Sequence, residues 1–394
     1  MEAVERTTVP APGFDYYGNY VSWVSFDQVN FHLNRLVSGH PIQNWVHFLR
    51  DNHPTFDSAL SMNCGNGWVD RELFREGVVR EVVGVDIDDG ILEEARREAA
   101  EVGLPARYEC MDVNRSDLPH GPYDLVVNFA ALHHVSLIDR VVRGIHRSLA
   151  PGGLLVHYDY TGPHRNQYST EAWSATIELN ESLPADLRND GLCYPHLPTM
   201  LAVDPTEAVH SELMLETFGR YFDFETLVPL GGGIAYQLLH ENSALHSRRD
   251  TSEGRDALER IIAADVELTA GDPARSLFTF AVLTPKAELP GDEILAGWTE
   301  QEERRETDAA AAGGRYYPRT AFGVSYELLA DARSEAVMKA ASLAEANETL
   351  ERTHPTRTRA VIRRARRRLR GIAGSVVRRS RRLASTARNM FGRD

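Results

Sequence analysis

With 394 residues, 42% of them hydrophobic, and a formal net charge of -14, the chain is long enough for one large or two ordinary domains around a sizeable core. No apolar run approaches the ~20 residues of a membrane span, and the N-terminus lacks the basic and apolar regions of a signal peptide, so neither is expected. Cys64, Cys110 and Cys193 are too few and too scattered for a zinc or redox motif, which predicts a reducing, cytoplasmic setting.

Residues 1–12 carry Pro10 and Pro12 and read as loose chain. Residues 13–50 read as mostly helical: Phe31, Leu33, Leu36, Val37, Trp45, Val46 and Leu49 recur at roughly helical spacing, broken at Gly39-His40-Pro41. From residue 57 the pattern alternates. Strands are predicted at 58–62, 81–85, 107–111, 123–128 and 154–158. Helices are predicted at 69–76, 90–102 and 137–149, the last closed by Ala150-Pro151-Gly152-Gly153. This alternation predicts an α/β fold with a doubly wound sheet and helices on both faces. Residues 160–220 are polar and rich in Pro and His, and read as a cap inserted over the sheet edge. Two further strands at 222–229 and 277–283 flank a helix at 253–269, which completes seven strands near Lys286.

The remainder changes character. Residues 287–355 are acidic and alanine-rich, with a solvated charge run at 300–307 and one amphipathic helix predicted over 326–351. Residues 356–394 hold fourteen arginines against the single acid Asp394, so an acidic body carries a basic tail. Four parts result: an N-terminal helical lid at 1–54, the alternating domain at 55–286, the acidic extension at 287–355 and the tail at 356–394.

Within the alternating domain, the run Leu60-Ser-Met-Asn-Cys-Gly-Asn-Gly67 ends an apolar strand in a glycine turn. Val83-Gly-Val-Asp86 ends the next strand in a lone carboxylate. Glycines there let the backbone approach a nucleotide-type ligand, and the carboxylate can accept ribose hydroxyls. Cys110-Met-Asp112-Val follows, then Tyr123-Asp-Leu-Val-Val-Asn-Phe-Ala-Ala-Leu-His-His134, then Leu149-Ala-Pro-Gly-Gly153. A nicotinamide cofactor fits poorly: a third glycine is missing at the expected offset, and no Tyr-x-x-x-Lys is present.

In order and spacing the series resembles the class I S-adenosylmethionine (SAM)-dependent methyltransferases over roughly residues 55–285. The resemblance implies a seven-stranded methyltransferase sheet with SAM as cofactor. Ser61, Asn63, Cys64, Gly65 and Gly67 would form the turn around its methionine part. Asp86 and Ile87 would hold the ribose side, Asp112 and Val113 the adenine, and Asn128 and Phe129 the wall near the sulfonium. The sequence departs from the family at two positions. Ser61 stands where an acid is usual, and Asn63 stands where a glycine is usual, although Asn tolerates positive φ better than most residues.

His133 and His134 close the fourth-strand motif, where a methyl acceptor would sit. With Asp159 and His210 they are the candidate catalytic groups, since a histidine near neutrality can take an acceptor proton. His210 lies in the cluster Asp204-Pro-Thr-Glu207-Ala-Val-His210-Ser-Glu212, whose start reads as a capped helix with Asp204 as N-cap. No His-x-x-x-His or similar spacing appears, so no metal is indicated, although His, Asp and Glu are frequent enough at 157–216 to hold one. Together with the loop at 158–167, this cluster resembles a subgroup of these methyltransferases found with polysaccharide-biosynthesis glycosyltransferases. The expected reaction is O-methylation of a small polar or sugar/glycan acceptor. The tail, apolar residues between arginines, suits an anionic membrane surface at the inner face. Two alternatives stand beside this reading: a non-catalytic SAM-binding assembly protein at a membrane, and a nucleic-acid-associated methyltransferase acting through its tail. The second is disfavoured by the scarcity of aromatic residues there and by the acidic body.

Overall fold

The computed structural model describes residues 21–311, except 196, 198, 199, 202 and 203. The helix predicted at 326–351 and the tail at 356–394 lie outside the described residues.

Seven strands form one sheet in the order β3-β2-β1-β4-β5-β7-β6. They are β1 (Phe56–Met62), β2 (Val79–Asp86), β3 (Ala106–Cys110), β4 (Tyr123–Phe129), β5 (Leu149–Tyr160), β6 (Phe222–Gly231) and β7 (Phe278–Pro285). Strands β1 to β5 are parallel, and β7 inserts antiparallel between β5 and β6. All seven predicted strands are present. Where the sequence suggests a turn at 150–153, β5 already begins: Leu149 pairs with Tyr123, and a register shift absorbs the glycines. The backbone demands them, because a Cβ on Gly153 would lie 2.9 Å from the Tyr123 carbonyl.

Side chains alternate along the central strands into two cores. Leu125 and Val127 of β4 face one, and Val126 faces the other. The first core is covered by α1 (Asp27–Ser38), α2 (Trp45–Asn52), α3 (Trp68–Arg75) and α4 (Asp89–Val102). The second is covered by α5 (Ile138–Ser148) and, past a cap that carries α6 (Thr170–Ser182), by α7 (Met214–Tyr221). Three helices, α8 (Ala235–Leu239), α9 (Ser243–Ser247) and α10 (Ser252–Gly271), return to the first face, and α11 (Asp292–Ala311) follows β7. Phe26, Leu33, Val46 and Leu49 of the N-terminal helical segment are fully buried beside Phe280 and Val282 of β7. Residues 23–52 are therefore built into the domain core.

The charge run at 300–307 is only partly solvated. Glu302 of α11 is buried at 3% exposure, and its two oxygens accept the main-chain N–H groups of Asp139 (2.6 Å) and Arg140 (3.0 Å) at the start of α5. Trp298 of the same helix packs edge-on against Tyr221, with the Arg220 guanidinium 5.0 Å over its ring. The first turn of α5 thus receives its cap from a helix more than 160 residues away. Among the described residues no helix is long and apolar enough to cross a membrane.

Candidate active site

The strand order reverses between β1 and β4, and the carboxyl ends of the strands there open a crevice. The turn after β1 lines one side. Asn63, Gly65 and Gly67 all take positive φ (42°, 55° and 68°), as the sequence expects of a tight cradle. A Cβ on Gly67 would meet the Tyr108 hydroxyl at 2.6 Å. Cys64 points beneath the turn, and burial pushes its thiol well up. At the tip of β2, Asp86 ties this turn down: its carboxylate accepts from the N–H of Gly65 (2.8 Å) and of Asp88 (3.0 Å). Burial raises its pKa against those bonds. Two main-chain donors leave lone pairs for two hydroxyls, which is what a ribose requires. Ile87 is exposed beside it. Asp112 holds a turn through the Asn114 N–H (2.9 Å) and an ion pair to Arg115, and the carbonyl of buried Val113 accepts from Arg140.

Ser61, where an acid is usual, is buried at the end of β1, and a carboxylate does face it from the other side. Asp70, in the first turn of α3, has no exposed surface. Neither oxygen has a hydrogen-bond partner of normal geometry, although the Ser61 and Tyr108 hydroxyls are neighbours. Burial lifts its pKa to about 6. The sequence signal was a lone acid on the apolar face that Val69 and Leu73 bury.

Phe129 closes β4 inside an aromatic wall. It stacks on Tyr158 (ring centroids 5.2 Å) and on Trp45 (5.6 Å), and Trp68 meets it edge-on at 5.2 Å. Faces of this kind attract a cation. From sequence, Trp45 was read only as part of a helical apolar stripe, and Trp68 was not singled out. Asn128 turns away from this wall: it is fully buried, donates to Asp159 (3.1 Å), contacts His157 Nδ1 (2.8 Å) and accepts from Leu132 N–H. It is a brace behind the site, because an amide with every polar atom engaged in the interior has none to present to a ligand.

Just past β4, the two predicted histidines meet Asp159, Glu207 and, 3.8 Å from His134 Nδ1, Asp204. His133 Nδ1 lies 2.6 Å from Asp159 Oδ1, and Asp159 also accepts the N–H groups of Ala131, His133 and Tyr160. Glu207 arrives from the cap, its Oε2 at 3.6 Å from His133 Nε2 and 3.9 Å from His134 Nε2. Burial alone would lower the His133 pKa, but Asp159 and Glu207 outweigh it and hold the ring well above the usual histidine range. Conversely, His133 draws Glu207 down to about 2 and Asp159 far below the carboxylate range, in both cases against burial. His134 is shifted down, by burial and by the charge on His133.

The segment at 204–209 forms turns and not the predicted helix. Asp204 caps the turn by accepting from the Thr206 N–H (2.8 Å) and hydroxyl (2.6 Å). This frees Glu207 to fold back towards the histidines. Arg165, Asn166, Ala208 and His210 all take positive φ here. Bonds from Arg165 N–H to Ala208 O and from Val209 N–H to His133 O, both 2.8 Å, hold the two loops and the histidine turn together. His210 is buried, stacks on His164 (5.2 Å) and bonds Glu306 of α11 at 2.8 Å. It stands apart from the Glu207 group but shares a pocket with His134, lined also by Asn114, Ser136, Thr206 and Glu306. The structure thus brings His133, His134 and Asp159 together and places His210 on the adjoining wall.

Residues 60–157 match the family model described as methyltransferase domain. The motif order, the glycine cradle, the strand-tip carboxylate and the 3-2-1-4-5-7-6 sheet lie in and around that stretch. The domain is a class I SAM-dependent methyltransferase domain. Its cofactor is SAM. Over 207 residues the chain is 25% identical to the ubiquinone/menaquinone biosynthesis C-methyltransferase UbiE of Pseudomonas aeruginosa, covering 51% of this chain and 80% of that protein. It is 35% identical over 95 residues to a ubiquinone biosynthesis O-methyltransferase of Nitrosococcus oceani, covering 24% of this chain and 39% of that one. It is 28% identical over 150 residues to the mitochondrial arginine-hydroxylase NDUFAF5 of Rattus norvegicus, covering 38% of this chain and 39% of that one. The chain thus spans about two fifths of the length of the last two. The methyltransferase-domain match includes His133 and His134 and leaves Glu207, His210 and Glu306 outside.

Proposed function

We propose that the protein transfers the SAM methyl to a hydroxyl of a small polar or sugar acceptor. One observation carries this reading: a histidine–carboxylate group, His133, His134, Asp159 and Glu207, follows the aromatic wall of Phe129 at the switch-point crevice. SAM supplies an electrophilic methyl on a cationic sulfonium. Asp86 accepts its ribose hydroxyls, and the turn from Asn63 to Gly67 shapes the space beside it. The aromatic wall offers π faces to the positive charge. A hydroxyl is a weak nucleophile, so the acceptor must lose its proton as the O–CH3 bond forms, and the histidine–carboxylate group is where that proton is lost. Holding acceptor and methyl in line supplies most of the remaining rate. A relative described as an O-methyltransferase supports the choice of oxygen, and one described as a C-methyltransferase marks the competing choice. The polar cap and the arginine tail favour a membrane-associated glycan in the cytoplasm as acceptor.

A second reading, a SAM-binding partner without transfer, draws on Ser61: the acid usual there is replaced, and Asp70 is sealed beneath the turn. The test starts with calorimetric titration of SAM into the wild type and Asp86→Ala. The wild type is expected to bind, and the variant to bind about ten- to a hundredfold more weakly, as suits loss of a charged acceptor of two hydrogen bonds. Transfer of a labelled methyl to a panel of hydroxyl acceptors then decides. SAM binding without transfer to any of them moves the second reading ahead.

A further inference from the structure

We propose that His133, His134 and Glu207 form a binding site for one divalent transition-metal ion. The inference rests on reading this group as the place where the acceptor hydroxyl is activated, and it names the agent. The ligand atoms of the three residues lie within 4.8 Å of one another. Glu207 Oε2 is 3.6 Å from one imidazole Nε2 and 3.9 Å from the other. Around an ion with bonds of about 2.1 Å the ligand atoms sit about 3.0–3.4 Å apart, so the Glu207 oxygen needs to approach each imidazole by only about half an ångström.

Each ligand is oriented by a second residue. His133 donates from Nδ1 to Asp159, the carboxylate–histidine arrangement that sets the ring and raises the basicity of Nε2. The Thr206 hydroxyl has one proton and gives it to Asp204 Oδ1 (2.6 Å), since a carboxylate cannot donate. Thr206 Oγ1 therefore accepts from His134 Nδ1 at 3.1 Å. That assigns the His134 hydrogen to Nδ1 and makes Nε2 the ligand atom. The Glu207 Oε1 accepts from the Asn166 amide at 3.3 Å, which turns Oε2 toward the histidines. Fully braced donors, one per ligand, are what a metal site needs beyond proximity.

Two imidazoles and one carboxylate suit Zn2+, Co2+, Fe2+ or Mn2+ better than Ca2+ or Mg2+, which favour all-oxygen shells. Three protein ligands also leave coordination positions for an acceptor. A hydroxyl bound there would ionise near neutrality, its proton leaving to solvent, and its oxygen would take the methyl while the S–CH3 electron pair stays on sulfur. Local spacing conceals the site, because Glu207 lies more than 70 residues beyond the adjacent histidines.

Titration of metal-stripped full-length protein with Co2+, followed by visible absorption and by metal analysis after dialysis, tests the proposal. One Co2+ per chain is expected. Glu207→Gln and His134→Ala should abolish it, and Thr206→Val should weaken it about tenfold or more through the lost brace. SAM binding by each variant checks its fold. Absence of Co2+ binding by the wild type overturns the proposal, as does binding undiminished in both ligand variants. Methyl transfer to a hydroxyl at an undiminished rate by protein that binds no Co2+ also overturns it and leaves the proposed function standing. Co2+ binding lost in the variants supports the site even where no acceptor in the panel is methylated.

Discussion

Asp70 carries the clearest energetic penalty of any single residue near the cradle. An ordinary carboxylate ionises near 4, whereas this one, with no exposed surface and no hydrogen-bond partner of normal geometry, ionises at about 6. The folded state thus holds its proton more tightly than the unfolded chain. The cost is absent below about pH 4, grows as the pH rises to about 6 and is complete above that, about 3 kcal/mol for roughly two units. Asp70→Asn is expected to stabilise the protein by about 2–3 kcal/mol at pH 8 and to make little difference near pH 4. Denaturant unfolding at the two pH values checks this, and an equal effect at both would rule out the buried charge as its cause. At this scale the glycine turn and the strand-tip carboxylate were largely legible: Gly65, Gly67 and Asp86 sit at fixed offsets from strand ends, and local periodicity locates those ends. The Glu207 contact was not legible. It depends on positive φ at Arg165, Asn166, Ala208 and His210; Asn and His tolerate that backbone, but Arg and Ala do not announce it, and no local pattern joins the four.

Among the elements, α11 departs furthest from what its composition suggests. A run such as Glu300-Gln-Glu-Glu-Arg-Arg-Glu reads as solvated because polarity is averaged over the helix, yet one stripe of it turns inward. Glu302 caps α5, and Glu306 meets His210. Glu302→Ala leaves the Asp139 and Arg140 N–H groups without their acceptor and is expected to cost about 1–2 kcal/mol. A lowered thermal midpoint at pH 6 would show it, and an unchanged one would show that water replaces the cap. The strands were legible because period-two and fully apolar runs are strong signals. The turn at 204–209 was misread as a helix because an N-cap residue, a proline and a glutamate at helical offsets are equally good turn formers. Thr206 settled the matter by bonding back to Asp204.

For the whole molecule, charge is divided along the chain: the arginines of 356–394 oppose an acidic remainder. The proposed membrane role predicts that the full chain co-floats with vesicles rich in anionic lipid at low salt. It also predicts that a chain ending at 355 does not, and that ~0.5 M salt releases the full chain. Retention by nucleic acid in place of vesicles would point to the third reading. Whole-fold architecture was legible because the strand–helix alternation is long and regular, whereas the depth of the N-terminal helices in the core was not. Their apolar stripe says that they pack, and only the fold says against what.

The wall at Glu306 of the pocket beside His134 comes from a helix beyond the last strand, and Glu207 and His210 come from the cap. Residues 60–157, which match the methyltransferase-domain model, hold every cofactor candidate together with His133 and His134, and none of these three groups. On the proposed reading, the groups that hold the cofactor and most of those that meet the acceptor come from separate stretches of the chain. The proposed function then predicts that exchanging the cap and α11 between related proteins changes what is methylated and leaves the methyl donor the same.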